Sequence, residues 1–415
     1  MRITILSPYY PPEMGAPPAR LSELSVRLQS YGHSVTVVTA FPSRPQGRVY
    51  EGYRGKFRMI ETIDGVRVIR TWIKPSTASA SLIGRTINDL SFTFSSGLMA
   101  ASLLGRQDVI IVQNPPLFSA FSAYYLKKRL GAKMVMWCGD VWPDVLLQAG
   151  QQISARMAGM MRWMQQYGFS RSDLLALTNP AIAVETSAKY CCPPVTVWSN
   201  GVDTQLFSPE KRSEELRTKL GVRANDLLVG YVGLHGRFQG LDAIVDAAAI
   251  LKETAHLHFL FIGEGVEKER LEKKASGLGL LNVRFLPPRP KAEMPALVAS
   301  CDVSVVPLLA RMPGTMPSKC YEALAAGSIV LTADGCEAAY LVNKNKAGLI
   351  YEPMDAQSVA TALMSVMKMS LEERRVLHAN ARKLSLRFDR EKLARFVEAT
   401  LVALVGGAPL PEAVW

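Results

Sequence analysis

Short apolar runs rich in β-branched residues alternate with stretches whose apolar positions recur every three or four residues, along nearly the whole chain. RITILSP is followed by the amphipathic ARLSELSVRLQSYG and then by SVTVVTA, with Gly32 placed as a helix C-cap. DVIIVQN, AKMVMWCG, LLALTN and VTVWSN continue the series, and helical patterns separate most of them. A second series begins after residue 201: LLVGYVG, LHFLFIG, NVRFLPP, DVSVVPL, SIVLTA and AGLIYE, interleaved with helical segments. Strands buried on both faces read as continuous apolar runs, so the pattern predicts parallel βαβ units and an α/β fold of two doubly wound, Rossmann-like domains. Asn-Gly and Pro punctuation in SNGVDTQLFSP, 199–209, places the boundary. The expected division is 1–200, 201–385, and a C-terminal segment 386–415 holding a helix that can pack back on the first domain, then a loose tail. The section 47–75 departs from the pattern. Asp-Gly between two strand-like runs in RMIETIDGVRVIRTW predicts a β-hairpin, and Arg54, Lys56, Arg58, Arg67, Arg70 and Lys74 would make it a basic outer edge.

Composition narrows the class. A chain of 415 residues is too long for one core, and a hydrophobic content of 48% argues against disorder. The N-terminal MRITILSPYY reads as a strand, not a signal peptide, and no uninterrupted apolar run reaches transmembrane length. The nearest candidate, about 81–104, contains Arg85, Asp89 and many Ser and Thr. Six cysteines show no CxxC pair, which suits reduced thiols in the cytosol. Five histidines form no metal-ligand pattern; His256 and His258 share a strand face, and two ligands make a poor site. The run Met157, Met160, Met161, Met164 reads as core packing. The net charge of +12 is uneven: residues 1–200 carry 21 Lys and Arg against 11 Asp and Glu, the remainder 27 against 25. On charge alone the first half suits an anionic partner, whether nucleic acid, bilayer or phosphorylated lipid, with a merely basic surface as the alternative.

Candidate chemistry gathers at predicted strand ends, where ligands of open α/β sheets bind. VGLHGRFQG, 232–240, joins three glycines, including Gly236, and Arg237 ahead of a helix N-terminus, a combination that suits a phosphate. MPSKCYEALAAG, 316–327, opens a helix with Lys319 and Glu322 on one side of its first turn. A nucleotide sugar needs both: a cation for its diphosphate and an acceptor for its ribose diol. A solvated ion pair on a surface helix is the plain alternative. In SPYYPPEMGAPPARL, Gly15 allows close backbone approach, but no GxGxxG or Walker sequence occurs. In WCGDVWPDVLL, Asp140 and Asp144 lie at a strand–helix junction, where they could serve an acceptor or cap the helix.

These stretches, in this order and spacing, resemble the glycosyltransferases of GT-B fold in family GT4, and within it the WbuB-like sugar transferases of bacterial surface polysaccharide synthesis. The likeness spans roughly residues 1–400 and rests on SPYYPPEMGAPPARLSELSVRLQSYGHSVTVVT, SNGVDTQLFSP, VGLHGRFQGLDAIVDAA and MPSKCYEALAAGSIVLTADGCE. It implies two Rossmann-like domains facing across a cleft, the first binding acceptor and the second donor nucleotide. Glu322 matches the second glutamate of the family's E-x7-E motif, whereas the first position is Gly314. Where many members place an Arg and a Lys on the diphosphate, this chain has Leu234 and Gln239; Arg237 and Lys319 are the inferred substitutes. The family's histidine would fall at Gly139. The expected site is therefore catalytic Arg237, Lys319 and Asp140, with Gly15, Gly236, Arg237, Lys319, Glu322 and Glu337 on the donor.

The implied reaction is transfer from a nucleotide sugar, UDP favoured over GDP and the sugar possibly deoxy or N-acetylamino, with retention of configuration. No D-x-D triplet occurs, so no metal or other cofactor is expected. The implied acceptor is a glycan on a polyprenyl diphosphate, in O-antigen, capsule or exopolysaccharide synthesis. The basic first half would then sit peripherally on the anionic inner leaflet of a bacterial plasma membrane, with Leu82, Ile83, Phe92, Phe94, Leu98 and Leu103 as an amphipathic contact or, alternatively, a core helix. Two rivals remain at this stage. A non-hydrolysing UDP-sugar epimerase would need acid/base groups that the loops do not display. A basic membrane or nucleic-acid scaffold would need cations interleaved with exposed aromatics, and the clustering at strand ends argues against nucleic acid.

Overall fold

All fourteen strand-like runs form strands. The computed structural model describes residues 1–44, 46–76, 82–148 and 150–413, the side chains of Ala16, Leu82 and Ile83 excepted. The chain divides into two units, residues 1–200 with 391–415, and residues 201–390.

In the first unit the strands are β1 (Arg2–Leu6), β2 (Ser34–Ala40), β3 (Arg58–Ile63), β4 (Val66–Thr71), β5 (Val109–Asn114), β6 (Lys133–Cys138), β7 (Leu174–Leu177) and β8 (Val195–Val197). They form one sheet in the order β3-β4-β2-β1-β5-β6-β7-β8, parallel throughout except for the β3–β4 hairpin. The Asp64-Gly65 turn has positive φ at both residues (49° and 81°), the geometry that matches the twist of a tight hairpin. β5 is buried at every position because helices cover both faces. Ile110 and Val112 pack with Phe92 and Ala123 on one face; Val109 and Ile111 pack with Leu21, Leu24 and Leu28 on the other. The Arg390–Gly406 helix adds Ala394, Val397 and Leu401 to that second core. The segment after it is less loose than its composition suggested, since Leu410 packs against the same core; residues 414 and 415 lie outside the described residues.

The hairpin corrects one expectation. Arg70 is not part of a basic rim: it is fully buried, paired with Glu61, and donates to the carbonyls of Ala40, at 3.1 Å, and Pro11. It thereby ties the loop after β1 to the sheet edge. Removing one partner of such a buried pair costs about 3–5 kcal/mol. Glu13 fastens the same loop from its other end, accepting from the backbone N–H groups of Ser43 (2.7 Å) and Arg44 (3.0 Å). The methionine run is also split: Met161 and Met164 are buried, while Met160 is exposed.

The second unit holds β9 (Leu227–Val232), β10 (Leu257–Ile262), β11 (Val283–Leu286), β12 (Val303–Val306), β13 (Ile329–Ala333) and β14 (Gly348–Tyr351), all parallel in the order β11-β10-β9-β12-β13-β14. The central neighbours β9 and β12 each lead into one of the two loops singled out above. The entering and leaving chain segments of this unit pair with each other: Val202 N–H donates to Phe388 O and Arg390 N–H to Val202 O, both at 2.9 Å.

Candidate active site

The loop after β9 is built by interlocking backbones. Gly233 N–H donates to Ile262 O (2.9 Å), His235 N–H to Glu264 O (2.8 Å), and Glu267 N–H to His235 O (3.0 Å). The approach is so close that a β-carbon on Gly263 would lie 2.0 Å from Gly233 O, and one on Gly265 2.3 Å from His235 O. On its other side the loop meets the segment after β12, where Leu309 N–H donates to Phe238 O at 3.1 Å. Three loops at the carboxyl ends of β9, β10 and β12 thus form one hydrogen-bonded floor.

Lys319 comes to this floor from the Ser318–Ala325 helix, where it is the second residue. Its ammonium donates to Tyr231 Oη and Gln239 Oε1, both at 2.8 Å, and lies 4.2 Å from the centre of the Tyr231 ring. Tyr231 Oη in turn donates to Leu234 O at 2.6 Å. Burial pushes the Tyr231 phenol well above its usual range, so it stays neutral. Gln239 is neutral by nature. Both oxygens that receive the Lys319 charge are therefore uncharged. Burial lowers the lysine pKa to about 7, with the nearby Glu322 carboxylate acting in the opposite sense. The cation also sits at a helix N-terminus, whose dipole is positive. A desolvated cation, neutral partners and a helix N-terminus together make a place that an anion would relieve.

The remaining expected residues are placed as follows. Arg237 lies two residues before Gln239, but its side chain points outward, 79% exposed, with its guanidinium 3.6 Å from Glu267. Gly236 is the residue that leads into the short 3-10 turn Arg237–Gln239. Glu322 is half-buried one helical turn beyond Lys319. Glu337 is buried at the start of the Glu337–Lys344 helix, and its N–H donates to Thr315 O at 3.1 Å. Gly314, where the family pattern has its first glutamate, has φ 72°, a left-handed backbone that residues with a β-carbon rarely adopt. A glutamate at this position would have to adopt that strained backbone or shift it.

In the first unit Gly15 precedes the Ala16–Ser30 helix with φ 138°, and Asp140 follows β6. Desolvation raises the Asp140 carboxyl pKa, and the charge of Arg20 opposes it. Arg20 lies 4.0 Å from the Trp137 ring centre and bonds the Asn200 side chain. Asp144 is occupied structurally, receiving Lys189 at 3.2 Å and Arg162 at 3.7 Å. Among the described residues no group of three or more His, Cys, Asp and Glu is placed to hold a metal ion.

Sequence reasoning missed Tyr231, Arg20 and His235, and noted Gln239 only as the residue standing where the family has a cation. Tyr231 looks like strand filler until the fold brings it and Gln239 to Lys319. His235 is fully buried among Tyr231, Phe261 and Phe285, and neither ring nitrogen has a hydrogen-bond partner. Burial, aided by Lys268, lowers its pKa to about 4 and keeps it neutral.

Residues 15–201 match the Glycosyl transferase 4-like domain and residues 212–384 match Glycosyl transferases group 1. The chain belongs to the GT4 glycosyltransferases of GT-B fold. This GT4 enzyme is 29% identical over 350 residues to WcaI of Escherichia coli K12, which is named as a colanic acid biosynthesis glycosyl transferase; the match covers 80% of this chain and 84% of WcaI. It is 24% identical over 302 residues to WbjE of Pseudomonas aeruginosa, named as a glycosyltransferase, covering 72% and 75%. Its fold is similar to that of sucrose-phosphate synthase from Thermosynechococcus elongatus, with a TM-score of 0.79 at 17% identity over 98% of this chain and all of that one. It is also similar to that of Anabaena HepE in complex with UDP, with a TM-score of 0.72 at 19% identity over 97% and 100%.

Proposed function

We propose that this enzyme transfers a sugar from a nucleotide-sugar donor, held by residues 201–390, to a lipid-linked glycan in bacterial surface polysaccharide synthesis, as WbuB-like transferases do. One observation carries the donor reading: the Lys319 ammonium, desolvated and held by two neutral oxygens beside a glycine-rich loop. A diphosphate supplies a counter-charge that its two hydrogen-bond acceptors do not. Support for a nucleotide sugar, and for UDP over GDP, comes from HepE, whose structures hold UDP and UDP-glucose. Support for the polysaccharide context comes from the name of WcaI.

The chemistry follows from charge development. As the bond from the anomeric carbon to the diphosphate oxygen breaks, the leaving group takes the electron pair and the sugar gains oxocarbenium character. Lys319 and the helix N-terminus behind it act where the negative charge grows. The acceptor hydroxyl bonds to the same face of the sugar, and its proton passes to the leaving phosphate, so no metal is required. Glu322 takes the ribose diol. Gly236 and Glu337 line the donor loops, and Arg237 swings in from its exposed position. In the first unit Gly15 permits close approach and Asp140 contacts the acceptor. The glycosyltransferase matches decide against the epimerase and scaffold readings.

Thermal shift with UDP, GDP and ADP tests the donor reading; UDP is expected to stabilise most. Lys319→Ala is expected to lower the transfer rate on the order of 100-fold, the scale of one lost electrostatic donor. A rate within a few-fold of wild type would remove Lys319 from the mechanism.

A surface of the first unit supports the lipid-linked acceptor. No helix among the described residues is long and apolar enough to cross a membrane. On the Leu82–Leu103 helix Phe92 is in the core, but Phe94 (68%) and Leu98 (66%) are exposed; the side chains of Leu82 and Ile83 lie outside the described residues. The helix meets Ser119–Leu130 at Gly97, where a β-carbon would lie 3.7 Å from the exposed Tyr125. On that helix Phe121 packs 6.2 Å from Trp163 of the Ala155–Arg171 helix, itself 60% exposed. Arg85, Lys128, Arg129 and Arg156 are exposed on the same three helices. Aromatics flanked by cations suit an anionic bilayer surface. Flotation with phosphatidylglycerol vesicles should recover the protein, and Phe94→Ser with Leu98→Ser should reduce recovery. Equal failure on anionic and neutral vesicles would count against this part of the reading.

A further inference from the structure

We propose that Tyr231 and Gln239 are positioning residues that fix the Lys319 ammonium at one point above the loop after β9, so that this cation is brought to the donor diphosphate by the Ser318–Ala325 helix while Tyr231 and Gln239 supply its neutral seat. The inference rests on the reading that a nucleoside diphosphate binds here. It goes beyond that reading in saying where the charge comes from, what holds it, and what could replace it.

Three observations support it. The ends of the Lys319 and Gln239 side chains meet at 2.8 Å, so the tip of residue 239 and the tip of residue 319 reach the same point from opposite sides. The seat is closely fitted: a β-carbon on Gly233 would come within 3.2 Å of Lys319 Nζ, and Gly233 has φ 147°. Tyr231 is itself held, because its hydroxyl donates to Leu234 O at 2.6 Å while accepting from Lys319, so both of its hydrogen-bonding roles are assigned. A carboxylate at either position would neutralise the lysine and compete with the ligand. Two uncharged acceptors orient it and leave its charge for an anion. The arrangement also explains why position 239 is not a cation here: a second ammonium would lie about 3 Å from the first and be repelled by it.

The test moves the charge from one carrier to the other. Calorimetric titration of UDP, with uridine as the control without phosphates, is run on wild type, Lys319→Met, Tyr231→Phe, Lys319→Met with Tyr231→Phe, and Lys319→Met with Gln239→Lys; melting curves confirm folding. Lys319→Met is expected to weaken UDP on the order of 100-fold and leave uridine nearly unchanged. Gln239→Lys in that background is expected to recover at least about tenfold of the loss, since it returns an ammonium to the same point. Tyr231→Phe is expected to weaken UDP about tenfold in wild type and to have almost no further effect once Lys319 is gone, because its contribution passes through that cation. If Lys319→Met binds UDP like wild type, the donor reading itself is wrong. If Lys319→Met loses UDP but Tyr231→Phe costs as much with Lys319 as without it, the donor reading stands and the positioning role is overturned. Failure of a folded Lys319→Met, Gln239→Lys protein to recover any affinity would likewise overturn the shared-point geometry.

Discussion

At the scale of single residues, the account turns on a lysine kept in an unfavourable state. Lys319 was legible as a cation at a helix start, because Pro317 and Ser318 mark the boundary and the lysine follows. Its partners were not legible. Tyr231 and Gln239 lie 88 and 80 residues away, and only the parallel pairing of β9 with β12 brings them together. A stability consequence follows from its pKa of about 7. The folded pKa lies below the ordinary lysine value, so between about pH 7 and 10 the unfolded chain binds more protons, and this residue's penalty shrinks as pH rises. Lys319→Met should therefore raise Tm by roughly 2–4 °C at pH 7 or below while abolishing most activity, and its advantage should shrink steadily between about pH 7 and 10. Differential scanning calorimetry across that range checks it; an advantage that grows with pH would contradict the burial of the charge. Arg237 shows the reverse case. The sequence marked it as a phosphate ligand, yet the fold leaves it exposed beside Glu267, because a side chain's direction in a short turn is not encoded by its spacing.

At the scale of elements, the apolar runs disclosed the parallel strands among the described residues, since strands buried on both faces have few other ways to be written, and Asp64-Gly65 disclosed the β3–β4 hairpin. What it could not disclose was how loops interlock. The glycines at 263 and 265 looked like generic loop punctuation, but they are the places where the turn after β10 touches the backbone of the turn after β9. Gly265→Ala should force that contact apart, lowering UDP affinity at least about tenfold in calorimetry and Tm by several degrees; unchanged affinity would show that the floor does not depend on it. Gly314 supplies the companion case. The absence of a glutamate there was visible in the sequence, while its left-handed backbone was not. Gly314→Glu is expected to destabilise the protein by about 1–2 kcal/mol and to leave the transfer rate no higher than wild type; a gain in rate would show that the carboxylate was simply missing.

At the scale of the whole molecule, the chain's last helix belongs with its first residues. Ala394, Val397 and Leu401 complete the core around Ile3, Leu21 and Val37, and Glu391 receives Arg27 at 3.2 Å and Tyr31 at 2.6 Å. Ending the chain at Arg390 should therefore expose the apolar face of residues 1–200 and cause aggregation, read by light scattering on heating; a soluble, monodisperse product would contradict it. The excess of positive charge in residues 1–200 was plain from composition, but part of it is structural: Arg70 is buried and paired inside the fold. The central claim is that residues 201–390 present a diphosphate site centred on Lys319. Its most direct measurement is calorimetric titration of UDP and GDP into the wild-type enzyme and into Lys319→Met. The account predicts that wild type binds at least one of them and that Lys319→Met, still folded by its melting curve, weakens it by on the order of 100-fold. Equal affinity in the two proteins would contradict it.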